Sequence, residues 1–373
     1  MENPVIRLTE DLIRINSENP GSNEYKIGRF VKTYFDRLGL AAKLYEFSPR
    51  RTNVVAVLKN ASSSKSLLIT PHLDTVPAGK NWKNKPFAPE IKNGKLFGLG
   101  STDCKGNLAV AMEAVKALVT QKARLGYNLI FAATSDEETG SALGLMKLLE
   151  RNIIRASAAV VLDSDDFRII TAQKGLMHLK FIFSGIKAHA AYPYLGINAI
   201  DLACKAIKEI KDFQFKIKKH PLLSPPTVNI GTIQGGDKVN VVADWCFFEA
   251  DLRFLPRENP EEILRQVKSA VHKNAGKFKL EIEGVQKPFE IEKSHPLVQG
   301  FMRAMRNNKI SPVIEGSEGA TVVSFFDKYH IPSIATGFGS SGCAHICDEY
   351  VKISNLVKGV EVLSDFLRNY KFN

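Results

Sequence analysis

The sequence of 373 residues has few of the features that mark secreted, membrane-bound or disulfide-stabilised proteins. It contains five cysteines, an odd and sparse number that argues against a disulfide framework and for a reducing compartment. The N-terminus has no apolar signal segment, and no apolar run approaches the ~18 residues that span a bilayer. No internal repeat or low-complexity stretch is present. We therefore expect a soluble, cytoplasmic protein.

Acidic residues are the less abundant charged class. The chain has 39 Asp and Glu against 51 Lys and Arg, and its formal net charge is +12. The basic residues are scattered, and aromatic residues are not interleaved with them as single-stranded nucleic acid would require. A lysine-rich solvated surface explains this charge most simply. Attraction of acidic substrates or nucleic acid is the alternative. We expect neither a nucleic acid nor a membrane as partner.

The first part of the chain alternates short apolar strands with helical patterns. Such alternation predicts an α/β fold with a mostly parallel sheet covered by helices on both faces. The length also exceeds what one small core needs and favours two domains. The predicted strands are Asn53–Leu58, Leu67–Thr70, Leu129–Thr134 and Ala159–Asp163, and the helices between them include Asn107–Val119 and Ala142–Leu149.

The alternation of apolar strands and helices changes after Gly175 and resumes after about Val285. The intervening segment has the order strand, helix, strand, strand, helix, strand, which is the ferredoxin-like pattern. We therefore predict a small α+β domain at residues 176–285, inserted into a larger domain formed by residues 1–175 and 286–373. A helix predicted at Thr321–Tyr329 belongs to the second part of that larger domain.

Five residues able to bind a metal lie at the ends of predicted elements. In open α/β sheets, ligands bind beyond the carboxyl ends of the strands. Each residue alone has an ordinary explanation as a cap, a solvated helix start or a turn residue. Their joint occurrence would need a separate accident for each, and therefore predicts one site. The five residues are His72, Asp103, Glu138, Asp163 and His345.

This set suits a pair of zinc ions. Two Zn²⁺ ions ~3.5–4 Å apart need one shared anion, and each ion also needs an imidazole and a carboxylate. Asp74 lies two residues from His72 on the same side of an extended chain, where it can hold the imidazole by its second nitrogen. A carboxylate that binds no metal must move the proton of the attacking water. Glu137, next to Glu138, is the candidate general base.

Three other motifs offer weaker interpretations. Gly98-x-Gly100 resembles half of a dinucleotide-binding loop, but the third glycine is missing. Two cysteines flank a histidine in Cys343–Cys347, yet a second cysteine pair that would complete a Cys/His zinc site is absent from the sequence. Cys104 has no Cys-His-Asn arrangement to make it a nucleophile, so packing or sensitivity to oxidation is the simpler interpretation.

Several motifs together resemble a family of dinuclear zinc amidohydrolases and peptidases. This family includes acetylornithine deacetylase, succinyl-diaminopimelate desuccinylase, carboxypeptidase G and aminoacylase. The similar stretches occur in order along the chain and are specific for the family, though not for a substrate. They are Pro71–Pro77 (PHLDTVP), Gly98–Gly106 (GLGSTDCKG), Ser135–Gly140 (SDEETG), Gly185–Pro193 (GIKAHAAYP), Gly196-x-Asn198-Ala199, Asp251–Arg253 and Ala344-His345 followed by Asp348-Glu349.

The resemblance implies a role for each metal ligand. His72 would bind one zinc and His345 the other, and Asp103 would bridge the two ions. Glu138 and Asp163 would complete the two sites. The implied cofactor is two Zn²⁺ per subunit, with Co²⁺ or Mn²⁺ as possible substitutes.

The resemblance also implies roles outside the metal ligands. Glu137 would be the general base, and the peptide Asp103–Cys104 would be cis. The inserted domain would be a lid that also forms a homodimer, and His189 would reach the neighbouring subunit's site to stabilise the oxyanion. Asn240 would meet the substrate carbonyl and Arg253 its carboxylate. The structural alternatives are an exposed loop histidine for His189 and an ion pair within the lid for Arg253.

The sequence departs from the family pattern at three positions. Asp163 stands where many members have Glu, and Asp is more often associated with the peptidase branch. Val322 and Ser324 occupy positions where many deacylases have Asp and Arg, which puts a second carboxylate-binding arginine in doubt. We expect a hydrolase of N-acyl amino acids. A dipeptidase, tripeptidase or carboxypeptidase with the same metals is the first alternative, and an inactive binding or regulatory relative is the second.

Overall fold

A computed structural model of the chain describes residues 3–21, 24–213, 215 and 219–372. Their contacts divide the chain into two compact units, each described here by itself. The large unit holds the described residues of Met1–Thr171, Ile291–Glu315 and Phe325–Asn373. The small unit holds those of Ala172–Glu290 and Gly316–Ser324. The segment Gly316–Ser324, which the sequence pattern assigns to the larger domain, therefore clusters with the small unit.

The helices and strands are numbered in chain order. The α-helices are α1 (Pro4–Ile13), α2 (Glu24–Arg37), α3 (Lys105–Thr120), α4 (Leu145–Glu150), α5 (Ala199–Asp212), α6 (Pro260–Ala275), α7 (Pro296–Asn307) and α8 (Ile353–Asn369). The strands are β1 (Ala42–Glu46), β2 (Thr52–Leu58), β3 (Ser66–Thr70), β4 (Glu90–Lys92), β5 (Lys95–Phe97), β6 (Asn128–Ala133), β7 (Ala158–Leu162), β8 (Arg168–Gln173), β9 (Gly175–Ser184), β10 (Thr227–Gly235), β11 (Trp245–Phe254), β12 (Lys279–Gln286), β13 (Phe289–Glu290), β14 (Val313–Ser317), β15 (Ser333–Thr336) and β16 (Tyr350–Lys352). Short 3₁₀ helices lie at Glu137–Thr139, Pro193–Leu195 and Val322–Tyr329, the last where the sequence predicts an ordinary helix.

The main sheet of the large unit has a parallel centre. Its strand order runs β1-β2-β6-β3-β7-β15-β8. The pairs β6–β3, β3–β7 and β7–β15 are parallel, whereas β1–β2, β2–β6 and β15–β8 are antiparallel. Strands β3, β6 and β7 are buried along almost their whole length. Because successive side chains point to opposite faces, both faces must be covered. The predicted fold is confirmed.

Local signals set the ends of the first two helices. Asn3 caps α1, since its side chain accepts the N–H of Val5, and Pro4 occupies the first turn, where its missing N–H costs nothing. Shortly after α2 ends, Gly39 adopts φ +74°, a conformation that glycine accepts without steric cost. Both helices bury one apolar face in the core of the large unit.

The small unit has the predicted ferredoxin-like topology. Its four-stranded antiparallel sheet has the order β10-β11-β9-β12. Side chains alternate between buried and more exposed along β9 and β11, so one face of each strand is apolar. Helices α5 and α6 pack against each other, and α5 packs on these strands. The buried residues of strands and helices form one cluster, which includes Phe181, Phe248, Ala203 and Val267.

The cysteines are free, and all five lie among the described residues. Within the described part of the chain, no helix combines the length and apolar character needed to cross a membrane.

Candidate metal centre

Four neighbouring parallel strands deliver most of the candidate residues to one edge of the main sheet. Strand β3 runs into His72, β6 runs into Glu137 and Glu138, and β7 ends immediately before Asp163. Strand β15 leads into the loop that carries His345. Because these strands are parallel and adjacent, their carboxyl ends meet at one edge. The topology therefore gathers residues that are far apart in the sequence.

Asp103 lies between the two histidines. It comes from the loop between β5 and α3, and its peptide bond to Cys104 is cis. Its Oδ1 lies 2.8 Å from Nε2 of His72, and its Oδ2 lies 3.2 Å from Nε2 of His345. The same nitrogen of His345 lies 3.2 Å from Oε2 of Glu138. One carboxylate thus faces two imidazoles with separate oxygens, the arrangement that a bridging ligand needs.

Two groups of ligand atoms are compact enough to hold a metal ion. In one, the atoms of His72, Asp103 and Glu138 all lie within 4.8 Å of one another. In the other, the atoms of His72, Glu137 and Asp163 meet the same limit. Glu137, predicted as the base, therefore lies as close to the cluster as the predicted ligands do. Distance alone does not separate its role from theirs.

The electrostatics of the cluster favour an added cation. Burial, together with the charge of Asp103, raises the pKa of Asp163 to about 7. Burial and the charge of Asp163 likewise raise the pKa of Glu137 well above its ordinary value. Hydrogen bonds to Asp103 and Glu138 raise the pKa of His345 to about 10. Burial and repulsion between the carboxylates oppose their ionisation, and a divalent ion would offset both effects.

One oxygen of Glu138 supports the same conclusion. The side chain of Glu138 is only 5% exposed. Its Oε1 is buried and has no hydrogen-bond partner within the described structure. A buried carboxylate oxygen without a donor is costly, because it has lost water and gained nothing in return. Oxygen and nitrogen donors of this kind are ligands for zinc and similar divalent ions. The residues present therefore fit a metal centre.

Asp74 contacts its neighbours differently from the prediction. The nearest partner of His72 Nδ1 is the backbone carbonyl of Asp74 at 3.0 Å, and the carboxylate lies 3.5 Å away. That carboxylate instead accepts the backbone N–H groups of Glu137 at 3.2 Å and Glu138 at 3.1 Å. It also accepts the side-chain amide of Asn19 at 2.9 Å. Asp74 thus orients both the imidazole and the Glu137–Glu138 turn.

The sequence patterns do not predict a buried polar network that contacts Asp74 through Asn19. Asn19 accepts a hydrogen bond from Arg51 at 3.1 Å. Arg51 also pairs with Glu24 at 3.0 Å and with Asp136 at 2.5 Å. Asp136 directly precedes Glu137 and has a left-handed backbone, φ +67°. These residues come from distant parts of the chain, and no local motif in the sequence signals that they meet.

The structure gives the cysteine motifs simple explanations. Cys104 is fully buried, and burial raises the pKa of its thiol to about 11, which is the opposite of an activated nucleophile. Cys343 is buried, and exposed Cys347 donates to the carbonyl of Lys80 at 2.8 Å. Among the described residues, the groups close enough to hold a metal contain no cysteine.

The predicted substrate residues of the small unit lie in a different environment. His189 is exposed, and its Nδ1 accepts the backbone N–H of Ala191 at 3.0 Å. Asn240 is exposed in a turn. Arg253 donates two hydrogen bonds to Asp251, from Nε at 2.7 Å and from a terminal nitrogen at 2.9 Å. The structure therefore contains the ion pair within the small unit that was the structural alternative for Arg253.

The departures at Val322 and Ser324 also lie in buried surroundings. Val322 is 6% exposed and Ser324 is 4% exposed. The Ser324 hydroxyl accepts a hydrogen bond from Gln286 at 2.8 Å. These positions thus hold an apolar side chain and a neutral hydroxyl, and neither offers a charge to a substrate carboxylate.

An α/β sheet that gathers two histidines and several carboxylates at the carboxyl ends of its strands defines a class, the metal-dependent hydrolases. The comparison with known families is more specific. The model of peptidase family M20/M25/M40 matches residues 68–369, and the chain belongs to this family of hydrolases.

Relatives with different activities are similar over almost the whole chain. An acetylornithine deacetylase of Vibrio atlanticus is 28% identical over 372 residues, covering 96% of this chain and 95% of the relative. An N-formyl-4-amino-5-aminomethyl-2-methylpyrimidine deformylase of Bacillus subtilis is 27% identical over 400 residues, covering 97% and 93%. The crystal structure of a tripeptidase from Staphylococcus aureus has a TM-score of 0.80 and 25% identity, covering 98% and 97%.

Proposed function

We propose that the chain hydrolyses the amide bond of an N-acyl amino acid with two Zn²⁺ ions and with Glu137 as general base. The observation that carries this proposal is the position of Asp103, whose two oxygens face His72 and His345. His72 and Asp163 would hold one ion, and His345 and Glu138 the other. Asp103 would be shared, as a dinuclear centre requires. Co²⁺ or Mn²⁺ would be able to replace zinc.

The metal ions, when bound, would supply Lewis acidity and favour ionisation of water. Glu137 would accept the proton of the attacking water and then deliver it to the nitrogen of the leaving amine. Burial and the nearby carboxylates raise the pKa of Glu137 in the absence of metal, and bound cations would lower it again, so that the carboxylate would be ionised and able to accept a proton near neutral pH. Asp74 supports this role, because its carboxylate holds the N–H groups of Glu137 and Glu138 and limits their movement.

The small unit would contribute to substrate binding. We assign His189 to the oxyanion, Asn240 to the substrate carbonyl and Arg253 to the substrate carboxylate. The exposure of His189 and Asn240 leaves them accessible to a ligand. Arg253 would have to exchange Asp251 for the substrate, or share its five N–H donors between them. We further propose a homodimer formed through this unit, whose surface exposes Tyr194 (78%) and Leu195 (67%).

The relatives support our choice of substrate class. The first relatives cited above remove acetyl and formyl groups from amines, and the chain is similar to them along almost its whole length. A small acyl group on an amino acid is therefore our first candidate. A dipeptidase, tripeptidase or carboxypeptidase activity is the second candidate, because the similar crystal structure is that of a tripeptidase and because Asp163 replaces the longer Glu.

A substrate panel with metal analysis tests this function. The purified chain would be supplied with zinc or cobalt and assayed for released amine from N-acetyl, N-succinyl, N-formyl and dipeptide substrates. We expect close to two metal equivalents per chain, loss of hydrolysis on chelation and the fastest turnover with an N-acyl amino acid. Faster cleavage of dipeptides would favour the peptidase alternative. Active enzyme without bound transition metal would overturn the proposal.

A further inference from the structure

Glu349 is a buried carboxylate that the proposed mechanism does not use. It follows His345 by four residues and is 1% exposed. Burying a carboxylate is costly unless hydrogen bonds replace the lost water. The hydrogen-bond partners of Glu349 therefore indicate what this side chain does.

Three backbone N–H groups of one short loop donate to Glu349. Gly100 donates to Oε2 at 2.7 Å. Thr102 and Asp103 donate to Oε1 at 2.7 and 2.9 Å. Both oxygens of the carboxylate thus accept hydrogen bonds from the loop, and one of the donors is the backbone N–H of Asp103 itself. Three hydrogen bonds from one loop to a single side chain restrict the position of that loop.

Further contacts join the same two segments. The Thr102 hydroxyl donates to the carbonyl of Tyr350 at 2.7 Å, and the N–H of Gly98 donates to the carbonyl of Glu349 at 2.9 Å. Strand β16, which begins at Tyr350, pairs with β5, which precedes the Asp103 loop. These contacts join the loop of Asp103 and the segment after His345 into one hydrogen-bonded substructure.

We propose that Glu349 is a positioning residue that holds Asp103 in place for metal binding. The proposal rests on the metal centre described under the proposed function and adds a residue outside the ligand set. Because Asp103 faces both histidines, a small rotation of its loop would disturb both sites at once. Residues that orient ligands in this way typically contribute about 10- to 100-fold to metal affinity.

The chain offers a matched control in the preceding residue. Asp348 also accepts two backbone N–H groups, those of Lys83 at 2.9 Å and Asn84 at 3.1 Å. Those donors lie in the later part of the connection between β3 and β4, which carries His72 near its start, and neither donor is itself a candidate ligand. Asp348→Asn therefore removes a comparable carboxylate without touching the Asp103 loop.

The informative substitution is Glu349→Gln, which changes shape very little. An amide presents one oxygen and one NH₂ group. Since N–H donors face both oxygens of Glu349, either orientation of the glutamine places a donor against a donor. Glu349→Asp is the second variant, because it keeps the charge and both acceptors on a shorter side chain. It also serves if the glutamine variant does not fold.

The experiment measures cobalt binding to the full chain and three variants, Glu349→Gln, Glu349→Asp and Asp348→Asn. Each protein would be stripped with a chelator and titrated with Co²⁺ while its visible absorption spectrum is recorded. The thermal midpoint of each stripped protein would be measured separately. For Glu349→Gln we expect an affinity about 10- to 100-fold weaker and an altered spectrum. Glu349→Asp should be affected less, and Asp348→Asn should match wild type.

Three results would overturn the inference. Wild-type affinity and spectrum in Glu349→Gln, even with a lower thermal midpoint, would make Glu349 a structural residue only. If that variant does not fold, wild-type affinity and spectrum in Glu349→Asp would lead to the same conclusion. Failure of wild-type protein to bind cobalt would refute the proposed function and this inference with it, so the two failures are distinguishable.

Discussion

The two units present their candidate residues in opposite ways. In the large unit, the ligand atoms of His72, Asp103 and Glu138 lie within 4.8 Å of one another, and Asp74 fixes the neighbouring backbone. In the small unit, His189 is exposed and its described hydrogen bond is made to its own loop. The candidate residues of the large unit surround a common centre, whereas those of the small unit contact neighbours within their own unit.

Under the proposed function, the residues of the large unit are in place before substrate binds, whereas those of the small unit need a ligand or a second subunit. A buried cluster of carboxylates is expensive, and it persists because the surrounding structure holds it together for a bound ion. Exposed residues such as Asn240 cost little to maintain and gain a defined geometry only when a ligand or a second subunit contacts them. Substitutions in the two units should therefore change different properties, namely metal content for the ligands of the large unit and kinetic constants in the small unit.

The largest effect is expected for Glu137→Gln. The amide cannot accept the proton of water, so kcat should fall by about 10²- to 10⁴-fold. The metal ligands remain, and the variant should retain its metal. Steady-state kinetics with elemental analysis would measure both quantities. Glu150→Gln is the control, since the side chain of Glu150 lies at the surface in an ion pair with Lys147 and its substitution should leave both quantities unchanged.

A second outcome of that experiment bears on the cluster geometry. Glu137 belongs to a compact group with His72 and Asp163, so it has the distances of a ligand. Loss of one metal equivalent in Glu137→Gln would show that it binds metal, and the assignment of the general base would then be incorrect.

The next effect contrasts a histidine from each unit. His345→Ala should lower metal content by about one equivalent, because it removes a ligand of one ion. His189→Ala should keep the full metal content and lower kcat by about 10²- to 10³-fold with little change in KM, since an oxyanion donor acts in the transition state. Metal analysis beside kinetics distinguishes the two. An effect of His189→Ala confined to KM would contradict its role.

Much of the large unit could be predicted because its information is local. Apolar strands that are followed by His72, Glu138 and Asp163 predict both a parallel sheet and a site at its edge. The 3₁₀ helix at Val322–Tyr329 was predicted only as a helix, because short apolar periodicity does not distinguish the two forms.

What could not be predicted depends on long-range contacts. Arg51 meets Glu24 and Asp136, and none of these residues stands in a recognisable spacing with the others. Even in the short segment His72–Asp74, the sequence predicts that Asp74 holds the second nitrogen of His72 but not that its backbone carbonyl is nearer to that nitrogen than its carboxylate. The polar groups that surround a site are chosen by the packed fold, which a linear pattern does not encode.

A smaller effect is expected when this network is broken at Asn19. Asn19→Ala removes the amide that joins Asp74 to Arg51, and each of these two buried groups loses one of its hydrogen-bond partners. The free energy of unfolding should fall by about 1–3 kcal/mol, measured by urea denaturation of metal-free protein. Asn369→Ala, at an exposed position near the C-terminus, is the control and should change stability little. Unchanged stability in Asn19→Ala would show that the network is not important for folding.

The smallest effect concerns Arg253, whose guanidinium is already paired with Asp251. If a substrate carboxylate replaces or joins Asp251, Arg253→Met should raise KM about tenfold, equivalent to about 1.4 kcal/mol, with kcat nearly unchanged. Arg257→Met is the matched control, because Arg257 lies in the same unit and pairs with Glu290. Substrate amides without the carboxylate should lose this dependence on Arg253. An equal loss for both substrate types would mean that Arg253 supports the fold of the small unit through Asp251 and does not bind the substrate.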